Sequence, residues 1–215
     1  MDHTQTKPKA VNVQNLETVY QGYFRIDRYT LCHDRFNGGT IGPFQREVFE
    51  RGHAAAVLPY DPITDSIVMI EQFRIGAYAA RKSPHVSDDM SPWLFEVVAG
   101  IIEDGEAPEI VAKRETAEES GLHVKQLEKI SAYMVSPGGT TETTHLFIGQ
   151  VDSSEAGGLH GLANEFEDIR VHVVSADDAI ALAESDSLQN AAFLVAMLWF
   201  KSNREALRKK WLAAT

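Results

Sequence analysis

A chain of 215 residues is long enough for one enzyme-sized domain with an appendage and too short for two, and its 44% apolar and 24% charged residues exclude wholesale disorder. With 31 acidic against 20 basic residues the formal net charge is -11, a field that repels a polynucleotide backbone and admits small anionic substrates only behind bridging cations. Cys32 is the only cysteine, the polar first ten residues hold no secretory signal, and the longest apolar run, Ala191 to Phe200, is too short for a bilayer, so a cytoplasmic protein without disulfides is expected.

After a polar start, residues 19–34 mix aromatic, β-branched and charged side chains in rough alternation, the pattern of a half-buried strand. RFNGGTIGPF reads as a turn, and two further strands, 45–58 and 66–73, are separated by Pro59-Tyr60-Asp61-Pro62. A short apolar strand over 93–98 is broken by Gly100, and residues 108–120 favour helix, with Pro108 in the first turn and Gly121 closing it. Ala107 stands where a Ser or Thr cap is usual, which weakens helix entry by about 1 kcal/mol. Strands are expected near 127–134, 143–151 and 168–174, and helical spacing returns at 176–184 and from 190 to about 210. This order fits an α+β fold in which a mixed sheet is sandwiched between helices.

Between Gly100 and Leu122 the chain reads GIIEDGEAPEIVAKRETAEESGL. Glu115, Glu118 and Glu119 are spaced i, i+3, i+4, so a helix stacks their carboxylates together, at roughly 0.2–0.5 kcal/mol of repulsion per exposed pair. A hard divalent cation such as Mg²⁺, which takes oxygen ligands, reverses the sign of that repulsion. Three glutamates alone suit an ordinary solvated face, but their frame is more specific: Gly100, Glu106, Arg114-Glu115, Glu118-Glu119 and Gly121-Leu122. Those positions in register should arise by chance in on the order of one in a million chains of this length.

The frame resembles the Nudix box, matching every fixed position, and the resemblance extends over most of residues 15–212, to the branch of bacterial ADP-ribose pyrophosphatases. It implies a Nudix fold over residues 53–215, preceded by an antiparallel strand unit, 1–52, that makes a homodimer. It also implies that Glu115 and Glu119, with the carbonyl of Ala99, bind two or more Mg²⁺ ions, Mn²⁺ being an alternative, while Glu118 assists and Arg114 orients the carboxylates with Glu106 as a brace. In GLANEFEDIRVHVVS, Glu165 matches the general base and Glu167 a further metal ligand. Arg51 and Arg74 match positions around the diphosphate and its sugars, where a guanidinium fork suits phosphate oxygens. Tyr23 or Phe24 matches an aromatic that stacks on adenine, and Pro137, with Gly138 and Glu142 in SPGGTTE, matches a loop associated with ADP-ribose hydrolysis. The implied reaction is hydrolysis of ADP-ribose to AMP and ribose 5-phosphate. Another nucleoside diphosphate sugar such as GDP-mannose is the alternative substrate, and a ligand sensor without hydrolysis is the alternative role. The histidines at 53, 145, 160 and 172 do not fall at metal-ligand spacing.

Overall fold

The computed structural model describes residues 10–162 and 166–213. The chain forms two compact units, residues 1–52 with 134–142 and residues 53–133 with 143–215.

In the first unit, β1 (Val11–Gln21), β2 (Arg25–Asp34) and β3 (Thr40–Glu50) pair in sequential order as an antiparallel sheet, as the sequence implied. The strand read over 19–34 is in fact two, because the chain turns at residues 22–24, where Gly22 N donates to Phe24 O at 2.9 Å. β1 begins at Val11, ahead of the expected start: Asn12, Gln14 and Asn15 are poor strand formers, and pairing along β2 overrides their preference. The expected turn RFNGGTIGPF shrinks to residues 35–39, with Gly38 and Gly39 at φ +89° and +78°. The strand read over 45–58 breaks near Gly52, whose φ of +84° a continuous strand does not allow. Residues 136–141 join this unit through Phe49 N, which donates to Gly139 O at 2.8 Å, and through Thr141 Oγ1, which donates to Glu50 at 2.6 Å.

The second unit is built on β4 (His53–Asp61), β5 (Ser66–Phe73), β6 (Trp93–Glu96), β7 (Val98–Ile102), β8 (Gln126–Met134), β9 (Thr143–Gln150), β10 (Gly158–His160) and β11 (Ile169–Ser175). Among the described residues these make one eight-stranded sheet in the order β10-β11-β5-β4-β9-β8, with β6 on β5 and β7 on β4. The sheet is mixed, since β4 and β9 run parallel while β5 is antiparallel to β4, β6 and β11. Helix α1 (Ile75–Ala80) was not legible: it is short, holds Gly76 and has no side-chain cap. Helices α2 (Pro108–Ser120), α3 (Ala176–Ala183) and α4 (Ala191–Leu212) fall where helical spacing placed them.

Alternation along β5 sorts the core into two layers. Ile67 and Met69 point to one face, where they pack with Tyr60, Phe193, Phe200 and Trp211 beneath α3 and α4. Val68 and Ile70 point to the other, where Val98, Leu122, Ile169 and Val171 join them on the α2 side. The α4 layer is pinned by charge as well: Arg204 and Arg208 converge on Asp65 at 2.7 and 3.0 Å, and the Tyr60 hydroxyl donates to the same carboxylate at 2.8 Å. No helix of the described residues is long and apolar enough to cross a membrane.

Candidate active site

Helix α2 starts at Pro108 with no side-chain cap from Ala107, as its sequence suggested, and ends at Gly121 in the left-handed conformation, φ +71°. The stripe of Val111, Ala112, Thr116, Glu119 and Ser120 turns toward the sheet and is buried. One member of that buried stripe is therefore a carboxylate. Glu119 is 3% exposed, whereas the side chains of Glu115 and Glu118 are 14% and 34% exposed, so the three carboxylates form a gradient from core to solvent.

Two backbone features of β7 receive this helix. Ala99 N donates to Glu119 Oε2 at 3.0 Å, and a Cβ on Gly100 would lie 1.9 Å from Glu115 Oε1. Gly100 sits inside β7 rather than breaking a strand, so the expected turn is not its reason for being glycine. A side chain there would occupy the space of the Glu115 carboxylate. Arg114 lies across the outer side, donating from Nη1 to Glu115 Oε1 at 2.7 Å and to Glu118 Oε2 at 3.1 Å, with Nη2 at 3.5 Å from Glu106 Oε2.

Arg74 follows β5 and grips Glu96 of β6 bidentately, Nε to Oε1 at 3.0 Å and Nη2 to Oε2 at 2.7 Å. Glu96 is 2% exposed and was not singled out from the sequence. The signal was present, because an acid on an inward-facing position of the apolar run WLFE demands a cation. Glu167 enters from the segment before β11, where Leu162 N donates to its Oε2 at 3.2 Å and its own N donates to Leu162 O at 3.3 Å. Gly161, at φ +100°, leaves room for it: a Cβ there would stand 2.7 Å from Glu167 Cβ. Glu165, expected as general base, lies outside the described residues.

The electrostatics are those of a site short of positive charge. Burial pushes the Glu119 carboxyl well above the usual carboxylate range; the Ala99 N–H opposes this, Glu115 and Glu167 add to it, and Arg74 opposes it. Burial likewise raises Glu115, partly offset by Arg114 and reinforced by Glu118 and Glu167. Arg74 stays firmly charged, because Glu96 and then Glu119 and Glu167 outweigh its desolvation. Two guanidiniums, Arg74 and Arg114, thus face the carboxylates of Glu96, Glu106, Glu115, Glu118, Glu119 and Glu167. Among the described residues no three acidic, His or Cys side chains converge as a ligand shell. Buried oxygen donors carrying excess negative charge fit a hard divalent cation.

In the first unit the structure brings together Arg51, Glu142 and Phe24. Arg51 Nη1 donates to Glu142 Oε2 at 3.2 Å, and its guanidinium stands 5.9 Å from the Phe24 ring centroid. Phe24 packs edge-on against Phe49 at 5.0 Å and Tyr23 at 4.8 Å, and Tyr23 is 86% exposed. Pro137 and Gly138 lie in the turn that Ser136 O closes by accepting from Gly139 N and Thr140 N, both at 3.0 Å.

Comparison with known proteins identifies the family. A family model for the NUDIX domain matches residues 50–195. An ADP-ribose pyrophosphatase of Escherichia coli (strain K12) is 46% identical over 195 residues, 91% of this chain and 90% of that protein. One from Haemophilus influenzae is 41% identical over 201 residues, 94% of this chain and 90% of that protein. A GDP-mannose pyrophosphatase of Cronobacter sakazakii is 33% identical over 188 residues, 85% of this chain and 91% of that protein. A solved structure described as an ADP compounds hydrolase superposes with a TM-score of 0.65 over 93% of this chain and 98% of that chain, at 18% identity, a likeness of fold alone.

Proposed function

Because the chain belongs to the NUDIX family, we propose that it hydrolyses the diphosphate bond of ADP-ribose to AMP and ribose 5-phosphate. The observation that carries the reaction is the Glu119 carboxylate, buried against β7 where Ala99 N donates to it and where the charges of Glu115 and Glu167 reach it. The greater identity to ADP-ribose than to GDP-mannose pyrophosphatases supports the choice of substrate.

Glu115, Glu119 and Glu167 are the side chains that would hold Mg²⁺, two or more ions with Mn²⁺ as an alternative, joined by the Ala99 carbonyl. Bound Mg²⁺ supplies charge neutralisation of the diphosphate and activation of water. Arg114, itself tied to Glu118, holds Glu115 in place from the solvent side, and Glu118 assists the metal ligands. Arg74, kept charged and oriented by Glu96, presents a donor fork to a phosphate oxygen. Glu165 takes the proton from the attacking water. For Arg51, Tyr23, Pro137, Gly138 and Glu142 the proposed role is recognition of the nucleoside and sugar ends of the substrate.

The enzyme is further proposed to act as a cytoplasmic homodimer. Support comes from β1, in which every residue is exposed, Val11, Val13, Leu16, Val19 and Tyr20 among them.

The test is a panel of ADP-ribose, GDP-mannose and other nucleoside diphosphate sugars with Mg²⁺, read by product chromatography. AMP and ribose 5-phosphate from ADP-ribose, at a higher kcat/KM than any other member gives, is the expected result. Glu165→Gln should lower kcat by about 10²–10⁴-fold with KM little changed. No turnover of any panel member, or undiminished activity in that variant, would overturn the respective assignment.

A further inference from the structure

The row of residues that β5 points toward α2 continues past Val68 and Ile70 to Gln72. Gln72 is 6% exposed, and its Nε2 is the one buried side-chain nitrogen or oxygen without a hydrogen-bond partner among the described residues. Such a donor loses its hydration on folding and gains nothing in return, so a valine or leucine in this strand position would serve the fold better. The other deeply buried polar side chains on this face are engaged: Glu96 by Arg74, Thr116 and Ser120 by carbonyls of their own helix, and Glu119 by Ala99 N.

The sheet register shows what surrounds the unsatisfied amide. Gln72 pairs with Leu94 of β6, one step from the Ile70 pair with Glu96, so Glu96 lies diagonally across the same face. Arg74, two residues further along, reaches back to both oxygens of Glu96, which leaves that carboxylate committed. On the opposite flank the register of β5 with β11 ends at the Glu71 and Arg170 pair, one residue short of Gln72. A neutral donor is thus buried two residues along the strand from Arg74, the guanidinium that Glu96 holds and that feels the charges of Glu119 and Glu167.

We propose that Gln72 is a further binding residue, whose side-chain N–H donates to a phosphate oxygen of the substrate diphosphate gripped by Arg74. This rests on the diphosphate reading above and adds a neutral contact that a cluster of like charges lacks. The terminal amide torsion is soft, so the N–H can turn to the ligand without moving the strand. A hydrogen bond to a charged oxygen at such a site is worth roughly 10–100-fold in affinity.

The experiment compares wild type with Gln72→Met, which keeps length and loses the donor, and Gln72→Leu as a second apolar replacement. Measured are the thermal midpoint of the ligand-free protein, the affinity for a non-cleavable methylene-bridged ADP-ribose by calorimetry with and without Mg²⁺, and kcat and KM for ADP-ribose. Expected are a ligand-free midpoint at or above that of wild type, analogue affinity and KM both poorer by roughly 10–100-fold, and kcat within a few-fold. A lowered midpoint with unchanged affinity would assign the amide to a structural water and sink the proposal. Should neither variant fold, the wild-type Gln72 side-chain amide resonance decides. A change on adding the analogue supports the contact, and an unmoved resonance overturns it. Wild type that cleaves ADP-ribose while both variants keep full affinity removes the Gln72 assignment alone. Wild type that neither cleaves ADP-ribose nor binds the analogue removes the functional reading and this inference with it.

Discussion

Replacing Glu119 by glutamine should stabilise the metal-free protein while destroying its activity. Glutamine keeps the shape and the oxygen that accepts from Ala99 N, but removes a charge that is 3% exposed and lies near Glu115 and Glu167. Because burial raises the folded-state carboxyl above its unfolded value, the native state binds the extra proton. The destabilisation of wild type is therefore absent below the ordinary carboxylate pKa, grows as pH rises toward the raised folded value, and is complete above it. A buried, poorly compensated group of this kind costs about 1–3 kcal/mol, which at roughly 2–4 °C per kcal/mol gives a midpoint some 2–12 °C higher for the variant at pH 7.5 in EDTA. The gap should close near pH 4.5, and millimolar Mg²⁺ should reverse the order, since only wild type gains linkage stabilisation from a bound ion. Turnover of ADP-ribose should fall by at least the roughly 10–100-fold that losing even an outer partner of a metal site costs. Differential scanning fluorimetry across pH, with EDTA or Mg²⁺, reads all of this. A lower midpoint for Glu119→Gln in EDTA at pH 7.5, or an equal rise for both proteins on adding Mg²⁺, would refute the reasoning.

Gly100→Ala should leave the fold nearly intact and abolish most activity, because its Cβ meets the flexible end of Glu115 at 1.9 Å and expels that carboxylate; circular dichroism beside a turnover assay separates the two effects. Gly121→Ala should instead cost stability, about 1–2 kcal/mol for the left-handed φ of +71°, with a further cost for crowding His160 Cε1 at 2.8 Å, and chemical denaturation measures it. Asp65→Asn, which tolerates the positive φ of 56°, should lower the melting midpoint by roughly 6–12 °C through about 3 kcal/mol lost among Arg204, Arg208 and Tyr60, with kcat unchanged at low temperature. Burial opposes ionisation of Asp65, but the bonds from Arg204 and Tyr60 prevail and lower its pKa, so wild type should lose this contribution as pH falls through that depressed value while the variant shows no such loss.

The helix of the box and its end at Gly121 were legible because local spacing, a proline in the first turn and a glycine after the last are properties of neighbouring residues. So were α3 and α4, whose helical spacing runs unbroken. The start of β1 was not, since residues 11–18 offer Asn and Gln in exposed positions and become strand only by pairing with β2. Gly100 was assigned to a turn because its sequence neighbours suggest one, whereas its neighbour in space is Glu115, on a helix. Glu96 and Gln72 escaped notice for the same reason: a polar residue in an apolar strand looks like noise until the partner, or the missing partner, is seen.

What the sequence determined alone is the inventory of carboxylates and guanidiniums, and the helical register that sets Glu115 about one turn from Glu118 and Glu119. Which of them is buried and which strand supplies the backbone donor were decided by the packing of α2 on β7. The physical reason is range: helical spacing acts over three or four residues, while desolvation and charge pairing act between segments that only folding brings together.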